Sequence, residues 1–132
     1  MQEISDPFDI MALEPHTGKV IYAHRVSGGK PVIAVCTLSG SSPLTIVEEN
    51  LVWPTGLAID YGAQRLYFVD GKRRVVESID LNGNKRMLVA QLDRRGPMPF
   101  RLAVFEDSLI VSMFKVSLIH FFFLDFLFLF PE

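Results

Sequence analysis

One short sequence pattern occurs three times in this chain at nearly constant spacing. Residues 57–60, Leu-Ala-Ile-Asp, resemble residues 11–14, Met-Ala-Leu-Glu, which lie 46 positions earlier. They also resemble residues 102–105, Leu-Ala-Val-Phe, which lie 45 positions later. A period of roughly 40 to 50 residues is typical of repeat proteins in which each unit is one supersecondary structure. The spacing therefore predicts units of one kind stacked side by side.

Each unit contains signals for four short strands. In the middle unit, the strands are predicted at residues 57–60, 65–69, 75–80 and 86–89, and a glycine-containing turn separates each strand from the next. Valine, isoleucine and tyrosine dominate these segments and favour strands, while glycine supplies the positive φ of tight turns. A helical solenoid is the alternative. It is disfavoured because each unit contains several turn signals and no helical periodicity is visible before Lys115.

Several of the predicted strands are apolar on both faces rather than on alternate residues. This pattern suits a sheet that lies between two other sheets. Four-stranded sheets packed face to face around an axis form a β-propeller, which protects most sheet edges. The sequence thus predicts an all-β fold, a partial β-propeller.

The middle unit carries a recognisable motif. Residues 67–70, Tyr-Phe-Val-Asp, follow residues 53–60, Trp-Pro-Thr-Gly-Leu-Ala-Ile-Asp. Together they resemble the class B (YWTD) repeat of the low-density lipoprotein receptor and its receptor-related proteins, whose second strand bears Tyr-Trp-Thr-Asp. The third unit, residues 99–107, resembles the opening of such a repeat. The resemblance covers roughly residues 7–114, and residues 1–114 are assigned to one partial propeller, with units at about residues 7–53, 54–98 and 99–114.

The resemblance implies a six-bladed ring, of which the chain holds about two and a half four-stranded blades. It also implies flanking EGF-like modules and a receptor on the extracellular side of the plasma membrane. Such a receptor binds secreted protein or lipoprotein ligands, is endocytosed and releases the ligand. The partners would be these ligands, together with the missing blades and the EGF-like modules of the parent receptor.

The resemblance also assigns a structural role to the motif residues, whose aspartate makes polar contacts that tie blades together in the family. These residues are Pro54, Gly56, Tyr67, Phe68 and Asp70. The outer units depart from the motif, since the aspartate position holds His24 in the first unit and Met113 in the third.

Three residues are candidates for contact with a ligand. Trp53 precedes Pro54 in the loop that enters the first strand of the middle unit, so its ring could anchor a ligand or pack between blades. His24 could assist acid-triggered release, with Arg25 beside it, or simply face solvent in a turn. The basic clusters 72–74 and 94–95 could meet an acidic ligand, although such clusters are usually solvated.

Other functional classes find little support. The formal net charge of −2 disfavours nucleic acid as a partner. A calcium-dependent propeller hydrolase would use Asp60, Asp70 or Asp107, but the sequence shows no carboxylate-rich or histidine-rich cluster, nucleophile elbow or phosphate loop. We therefore expect no enzyme activity, cofactor or metal. A structural matrix propeller of the nidogen type remains the main alternative to a receptor.

The two ends of the sequence differ from the repeats. The first residues lack the basic and apolar segments of a secretory signal, and Cys36 has no second cysteine with which to form an internal disulfide. Residues 115–132 form a hydrophobic tail outside the family pattern, which holds six of the 11 phenylalanines. Its apolar stretch, residues 116–130, is shorter than the roughly 20 residues of a membrane-spanning helix. Translated intron is the preferred interpretation of this tail, and a membrane anchor is the alternative.

Overall fold

The computed structural model describes residues 10–25, 29–40, 42–116 and 122–129, with side chains up to Met113. These residues form strands, turns and connections, and no helix. The strands are β1 (Ile10–Glu14), β2 (Lys19–Arg25), β3 (Pro31–Thr37), β4 (Leu44–Val47), β5 (Pro54–Asp60), β6 (Arg65–Asp70), β7 (Val75–Asp80), β8 (Met87–Gln91), β9 (Met98–Phe105), β10 (Ser108–Val116) and β11 (Phe122–Leu129).

The strands form three antiparallel sheets in chain order. β1 to β4 form the first sheet, β5 to β8 the second, and β9 to β11 the third. We call them blade 1, blade 2 and blade 3. The all-β prediction is confirmed, and each strand of blade 2 overlaps its predicted segment. The bounds of β7 are as predicted, whereas β5 begins three residues earlier, β6 ends one residue later, and β8 spans residues 87–91 where 86–89 was expected.

The strand register repeats between the sheets. Glu14 pairs with Lys19 in blade 1, and Asp60 pairs with Arg65 in blade 2, so His24 and Asp70 occupy equivalent positions at the ends of β2 and β6. A bulge lies between Pro54 and Gly56 in β5, and the pairing of β9 with β10 shifts at the matching place. The repeated sequence pattern therefore corresponds to a repeated backbone geometry.

Blade 2 is buried on both faces, as its apolar pattern predicts. Along β6, Leu66 and Phe68 face blade 1, while Tyr67 and Val69 face blade 3. This alternation places successive side chains of one strand in two separate cores. The core with blade 1 contains Ile21, Ala23, Ile33, Val35, Ile46, Val47, Leu51, Ile59, Leu66, Phe68, Ile79 and Leu81. The core with blade 3 contains Tyr67, Val69, Val76, Leu109, Val111 and Met113.

The first strands of the three sheets lie side by side, with β5 between β1 and β9. Gly56 permits the close approach to β9, because a Cβ there would lie 3.0 Å from the carbonyl oxygen of Phe100 and 3.1 Å from the amide nitrogen of Leu102. On the other side of blade 1, the described residues include no further sheet. Met11 and Leu13 there are 68% and 48% exposed, whereas Ile59 in the equivalent strand of blade 2 is 6% exposed.

The tail contributes the strand β11, which pairs with β10 in an antiparallel register from Leu109↔Leu129 to Val116↔Phe122. The described part of the chain contains no helix that is long and apolar enough to cross a membrane. Residues 1–9, 117–121 and 130–132 lie outside the described residues, as do the sequence expectations that concern them. The division into units and the origin of the tail stay predictions.

Candidate functional site

The candidate residues cluster at one end of the sheets, where chain connections enter and leave the blades. Pro54 pairs with Asp70, and Val75 pairs with Gln91, so three connections meet there. They are the β4–β5 connection (residues 48–53), the β6–β7 turn (71–74) and the β8–β9 connection (92–97). We call this end the connection face.

The carboxylate of Asp70 organises the connection face. Asp70 is fully buried at the end of β6. Its Oδ2 accepts the amide N–H of Val52 at 2.8 Å, and its Oδ1 accepts that of Trp53 at 3.1 Å. Oδ1 also accepts the N–H groups of Lys72 and Arg73, both at 3.1 Å. One side chain therefore joins the strand of blade 2 both to its own turn and to the connection that arrives from blade 1.

A second polar group holds the carbonyls of the same connection. Glu77 in β7 is only 7% exposed, and its Oε2 lies 2.7 Å from Arg86 Nη2 and 3.2 Å from Arg73 Nη1. Arg73 Nη1 donates to the carbonyl of Asn50 at 2.6 Å, and Arg86 Nη1 donates to that of Glu49 at 2.6 Å. Because a nearly buried carboxylate is costly without partners, this group gives Glu77 two cations and gives the connection defined hydrogen bonds.

These bonds fix the position of Trp53. Its carbonyl accepts the N–H of Gly71 at 2.9 Å, and its half-buried ring lies edge-on to Phe100 with ring centres 6.5 Å apart. Lys72 Nζ lies 5.5 Å from the centre of the indole ring, within the range of a cation–π interaction. Trp53 thus contacts blade 3 and still presents part of its surface at the connection face.

The other two residues predicted to face a ligand come from the end of β2. Arg25 is exposed, and its Nη2 lies 3.5 Å from the carbonyl oxygen of Val52, which brings it to the connection that carries Trp53. His24 is half-buried, and its ring lies 5.3 Å from that of Tyr22. The structure brings Arg25 together with the Trp53 connection, and it gives His24 a neighbour on its own strand.

The remaining motif residues lie inside the stack of sheets. Pro54 is buried at the start of β5, two residues before Gly56. Phe68 is fully buried against blade 1, with the guanidinium of Arg86 5.5 Å above its ring. Tyr67 is 7% exposed on the opposite side, where burial raises the pKa of its phenol above the ordinary value and the nearby Asp60 carboxylate raises it further.

The carboxylates that a hydrolase would use do not form one group. Asp60 and Asp107 lie in or beside the β5–β6 and β9–β10 turns, at the end of the sheets opposite to Asp70. Asp70 is surrounded by backbone N–H donors, as described above. Within the described ranges, no three histidine, cysteine, aspartate or glutamate side chains form a group that could hold a metal ion.

The sequence analysis did not predict the ion pairs that Glu77 forms with Arg73 and Arg86. The available signal was a charged residue in the middle of the apolar segment 75–79, since glutamate is rarely buried unless it is paired. Its partners, Arg73 and Arg86, lie four and nine residues away, and Arg86 is brought close only by the pairing of β7 with β8.

Comparison with known proteins assigns a family. The model of the low-density lipoprotein receptor repeat class B matches residues 26–61. The vitellogenin receptor Yl of Drosophila melanogaster is 34% identical over 110 residues, which is 83% of this chain and 5% of that protein. The vitellogenin receptor of Solenopsis invicta is 36% identical over 99 residues, 75% of this chain and 5% of that protein. The chain belongs to the low-density lipoprotein receptor class B repeat family.

Further comparisons agree with this family. The sortilin-related receptor of Oryctolagus cuniculus is 32% identical over 94 residues, 67% of this chain and 4% of that protein. These sequence relatives are receptors, and the chain spans about one twentieth of their length.

Solved structures show the fold. The nidogen/laminin complex matches 92% of this chain and 46% of the solved chain, with a TM-score of 0.68 and 19% identity. The luciferin-regenerating enzyme matches 93% of this chain and 47% of the solved chain, with a TM-score of 0.65 and 15% identity. The class B repeat chain is therefore part of a β-propeller, and likeness at these identities concerns the fold alone.

Proposed function

We propose that this class B repeat chain is part of the propeller of a cell-surface receptor that binds a secreted protein or lipoprotein and releases it after endocytosis. The similarity to two vitellogenin receptors carries the proposal and makes vitellogenin the first ligand to test. No catalytic role is proposed, because the relatives by sequence are receptors.

The connection face is the proposed place of ligand contact. Trp53 lies there with part of its ring accessible, and its backbone is held by Asp70 and Gly71. Rigid aromatic side chains are frequent energetic centres of protein interfaces, since they supply a large contact area at a small entropic cost. Arg25 adds an exposed positive charge beside the same connection. The motif residues are proposed to support this face from within the stack.

The binding proposal can be tested with the immobilised 132-residue chain and purified vitellogenin. At about pH 7.4 we expect saturable binding, and Trp53→Ala should weaken it about tenfold or more, as for a buried aromatic contact. Leu38→Ala is the matched control, because Leu38 is an apolar side chain that is 73% exposed in the β3–β4 turn, away from the connection face. Equal affinities for the wild type and Trp53→Ala would exclude Trp53 as a ligand contact.

Acid release is tested by the same measurement at about pH 5.5. Histidine side chains in general can change charge between neutral and endosomal pH. His24 contacts the ring of Tyr22 and adjoins Arg25. We expect faster dissociation at the lower pH, with a smaller pH effect in His24→Gln. A pH effect of the same size in His24→Gln would remove His24 from the release step.

A further inference from the structure

Positive charge collects beside Trp53, where blade 2 meets the β8–β9 connection. A cavity open to solvent, with a volume of about 430 Å³, lies there between the β6–β7 turn and this connection. It is lined by Lys72, Arg73, Arg74, Val75, Gln91 and Arg94. We call it the basic cup. Four cations in one concavity contrast with the net charge of −2 for the whole chain.

Most of this charge is not neutralised by the protein itself. Arg73 is paired with Glu77. Arg74 donates through Nη1 to the carbonyls of Gly96 at 2.6 Å, Pro97 at 3.0 Å and Asp93 at 3.3 Å, which fixes its guanidinium without pairing it with a carboxylate. Among the described residues, no carboxylate lies within 4.0 Å of the charged groups of Lys72, Arg74 or Arg94. Lys72 and Arg94 are exposed, so both charges are available to a partner.

The walls of the basic cup are held in place. Leu92 donates its backbone N–H to the carbonyl of Arg74 at 2.8 Å. Gln91 Nε2 lies 3.3 Å from the carbonyl oxygen of Arg73 and 3.2 Å from that of Arg74. These contacts join the β6–β7 turn to the end of β8. A site that is already ordered loses less conformational entropy when a ligand binds.

The surroundings indicate what kind of anion fits. Lys72 lines the basic cup and also lies over the ring of Trp53, so positive charge and an aromatic surface adjoin. Glu48 and Glu49 are exposed on the neighbouring β4–β5 connection and would repel an extended polyanion. A short segment with a few carboxylates and an apolar side chain matches a few cations beside an aromatic ring, because each of its groups has a complementary partner.

We propose that the basic cup binds an acidic segment of a protein ligand, with carboxylates facing Lys72, Arg74 and Arg94 and an apolar side chain against Trp53. This inference rests on the proposed receptor function and adds the chemistry of the ligand. Arginine suits carboxylate binding because its guanidinium presents several donors in a planar fork.

The test uses the complete 132-residue chain and a fluorescein-labelled peptide of six glutamates and one phenylalanine, followed by fluorescence anisotropy. We expect binding that weakens with added salt and is at least about tenfold weaker in the double variant Lys72→Glu/Arg94→Glu. Lys85→Glu is the matched control, because Lys85 is exposed in the β7–β8 turn at the opposite end of blade 2. It should bind the peptide within about twofold of the wild type.

The neutral double variant Lys72→Gln/Arg94→Gln guards against an effect of charge reversal on folding. It should also lose peptide binding, with an unchanged far-ultraviolet circular dichroism spectrum. Equal peptide affinity in the wild type and both double variants would overturn the inference. Tighter binding of a heparin oligosaccharide than of the peptide, with the same dependence on Lys72 and Arg94, would overturn it as well.

Vitellogenin binding to the wild type and the variants distinguishes a failure of this inference from a failure of the proposed function. If the double variants bind the peptide weakly and vitellogenin does not bind the wild type, the basic cup stands and the vitellogenin assignment fails. If vitellogenin binding depends on Trp53 but not on Lys72 and Arg94, the receptor function stands and the acidic-segment inference fails.

Discussion

Blade 1 and blade 2 share one backbone plan but differ in how many of their faces are covered. Position by position, β1 and β2 follow the register of β5 and β6. Phe68 in blade 2 is fully buried against blade 1, whereas the equivalent Tyr22 is only half-buried on the open side of its sheet. The burial of a side chain in this fold therefore depends on whether the next sheet is present as well as on its own strand.

The blades also differ at the end of their second strands. In blade 2, Asp70 accepts four backbone N–H groups from a turn and a blade connection. His24 takes this place in blade 1, where the loop before β3 is three residues longer, as the partners His24↔Val32 and Asp70↔Val75 show. Blade 1 thus packs against blade 2 through apolar side chains without an aspartate at this position, while in blade 2 the aspartate adds four hydrogen bonds to a turn and a connection.

The largest expected effect concerns the difference between the covered faces of blade 2 and the open outer face of blade 1. Phe68→Ala removes a fully buried ring from the core between blades 1 and 2, and we expect it to lower the free energy of unfolding by about 3–5 kcal/mol. Tyr22→Ala, at the equivalent position, should cost roughly 1 kcal/mol or less in this chain, because that face is open. Urea unfolding followed by circular dichroism measures both values.

Similar losses in Phe68→Ala and Tyr22→Ala would contradict the comparison, since they would mean that the outer face of blade 1 is covered in solution. Phe105→Ala is a further control, because this side chain in β9 is 63% exposed. Its effect should stay within about 0.5 kcal/mol.

A smaller effect is expected from the aspartate. Asp70→Asn keeps the size of the side chain but replaces one acceptor oxygen with an NH₂ group that faces backbone donors. We expect a loss of about 2 kcal/mol in the free energy of unfolding, as for a hydrogen-bonded charged group left with unsatisfied donors. Trp53 is the chain's single tryptophan and lies in the affected connection, where its own N–H is held by Asp70, so its fluorescence should also change.

Asp107→Asn provides the control, since Asp107 is exposed in the β9–β10 turn. It should alter the free energy of unfolding by less than about 0.5 kcal/mol. Unchanged stability and unchanged tryptophan emission in Asp70→Asn would show that the four hydrogen bonds do not hold the connection.

Much of the fold was predictable because sheet packing follows a local pattern. Alternating residues such as Leu66 and Tyr67 face opposite sides of a strand, so an apolar run on both faces already implies two neighbouring sheets. The repeat spacing, the four-strand unit and the family resemblance were all readable from the sequence, and family and fold are confirmed. Equivalent positions of blades 1 and 2 lie 46 residues apart up to the second strand (His24 and Asp70) but 43 apart after the third (Thr37 and Asp80), and the longer loop before β3 accounts for the change.

The polar contacts of the candidate site were less predictable, because their partners are distant in sequence or belong to the backbone. Nothing in the order of residues specifies that Arg86 donates to the carbonyl of Glu49, or that Lys72 lies over Trp53. Such contacts depend on how connections fold over the ends of the sheets. The pairing of β11 with β10 was missed for another reason, since its sequence departs from the family pattern. The assignment of Trp53, His24 and Arg25 to a ligand surface stays a prediction.

The smallest expected effect compares two equivalent turns. Asp80 ends β7, and its Oδ1 accepts the N–H groups of Asn82 and Asn84, both at 2.9 Å, whereas Thr37 occupies this place in blade 1. The hydrogen bond from Asn84 lowers the pKa of Asp80 most, with further lowering by Asn82, Arg65 and Lys85.

The pKa of Asp80 is lower in the folded state than its value of about 3.9 in the unfolded chain. Its carboxylate therefore stabilises the fold when the pH is above the unfolded-state pKa, and this contribution is lost as the pH falls through the folded-state pKa. Asp80→Thr should therefore reduce stability at about pH 7, and its unfolding free energy should approach that of the wild type as the pH is lowered to about 2.5. Thr37→Val, which removes an uncharged group, should give a difference that does not vary with pH. Urea unfolding at several pH values measures both, and a constant difference between the wild type and Asp80→Thr would show that the charge of Asp80 does not stabilise its turn.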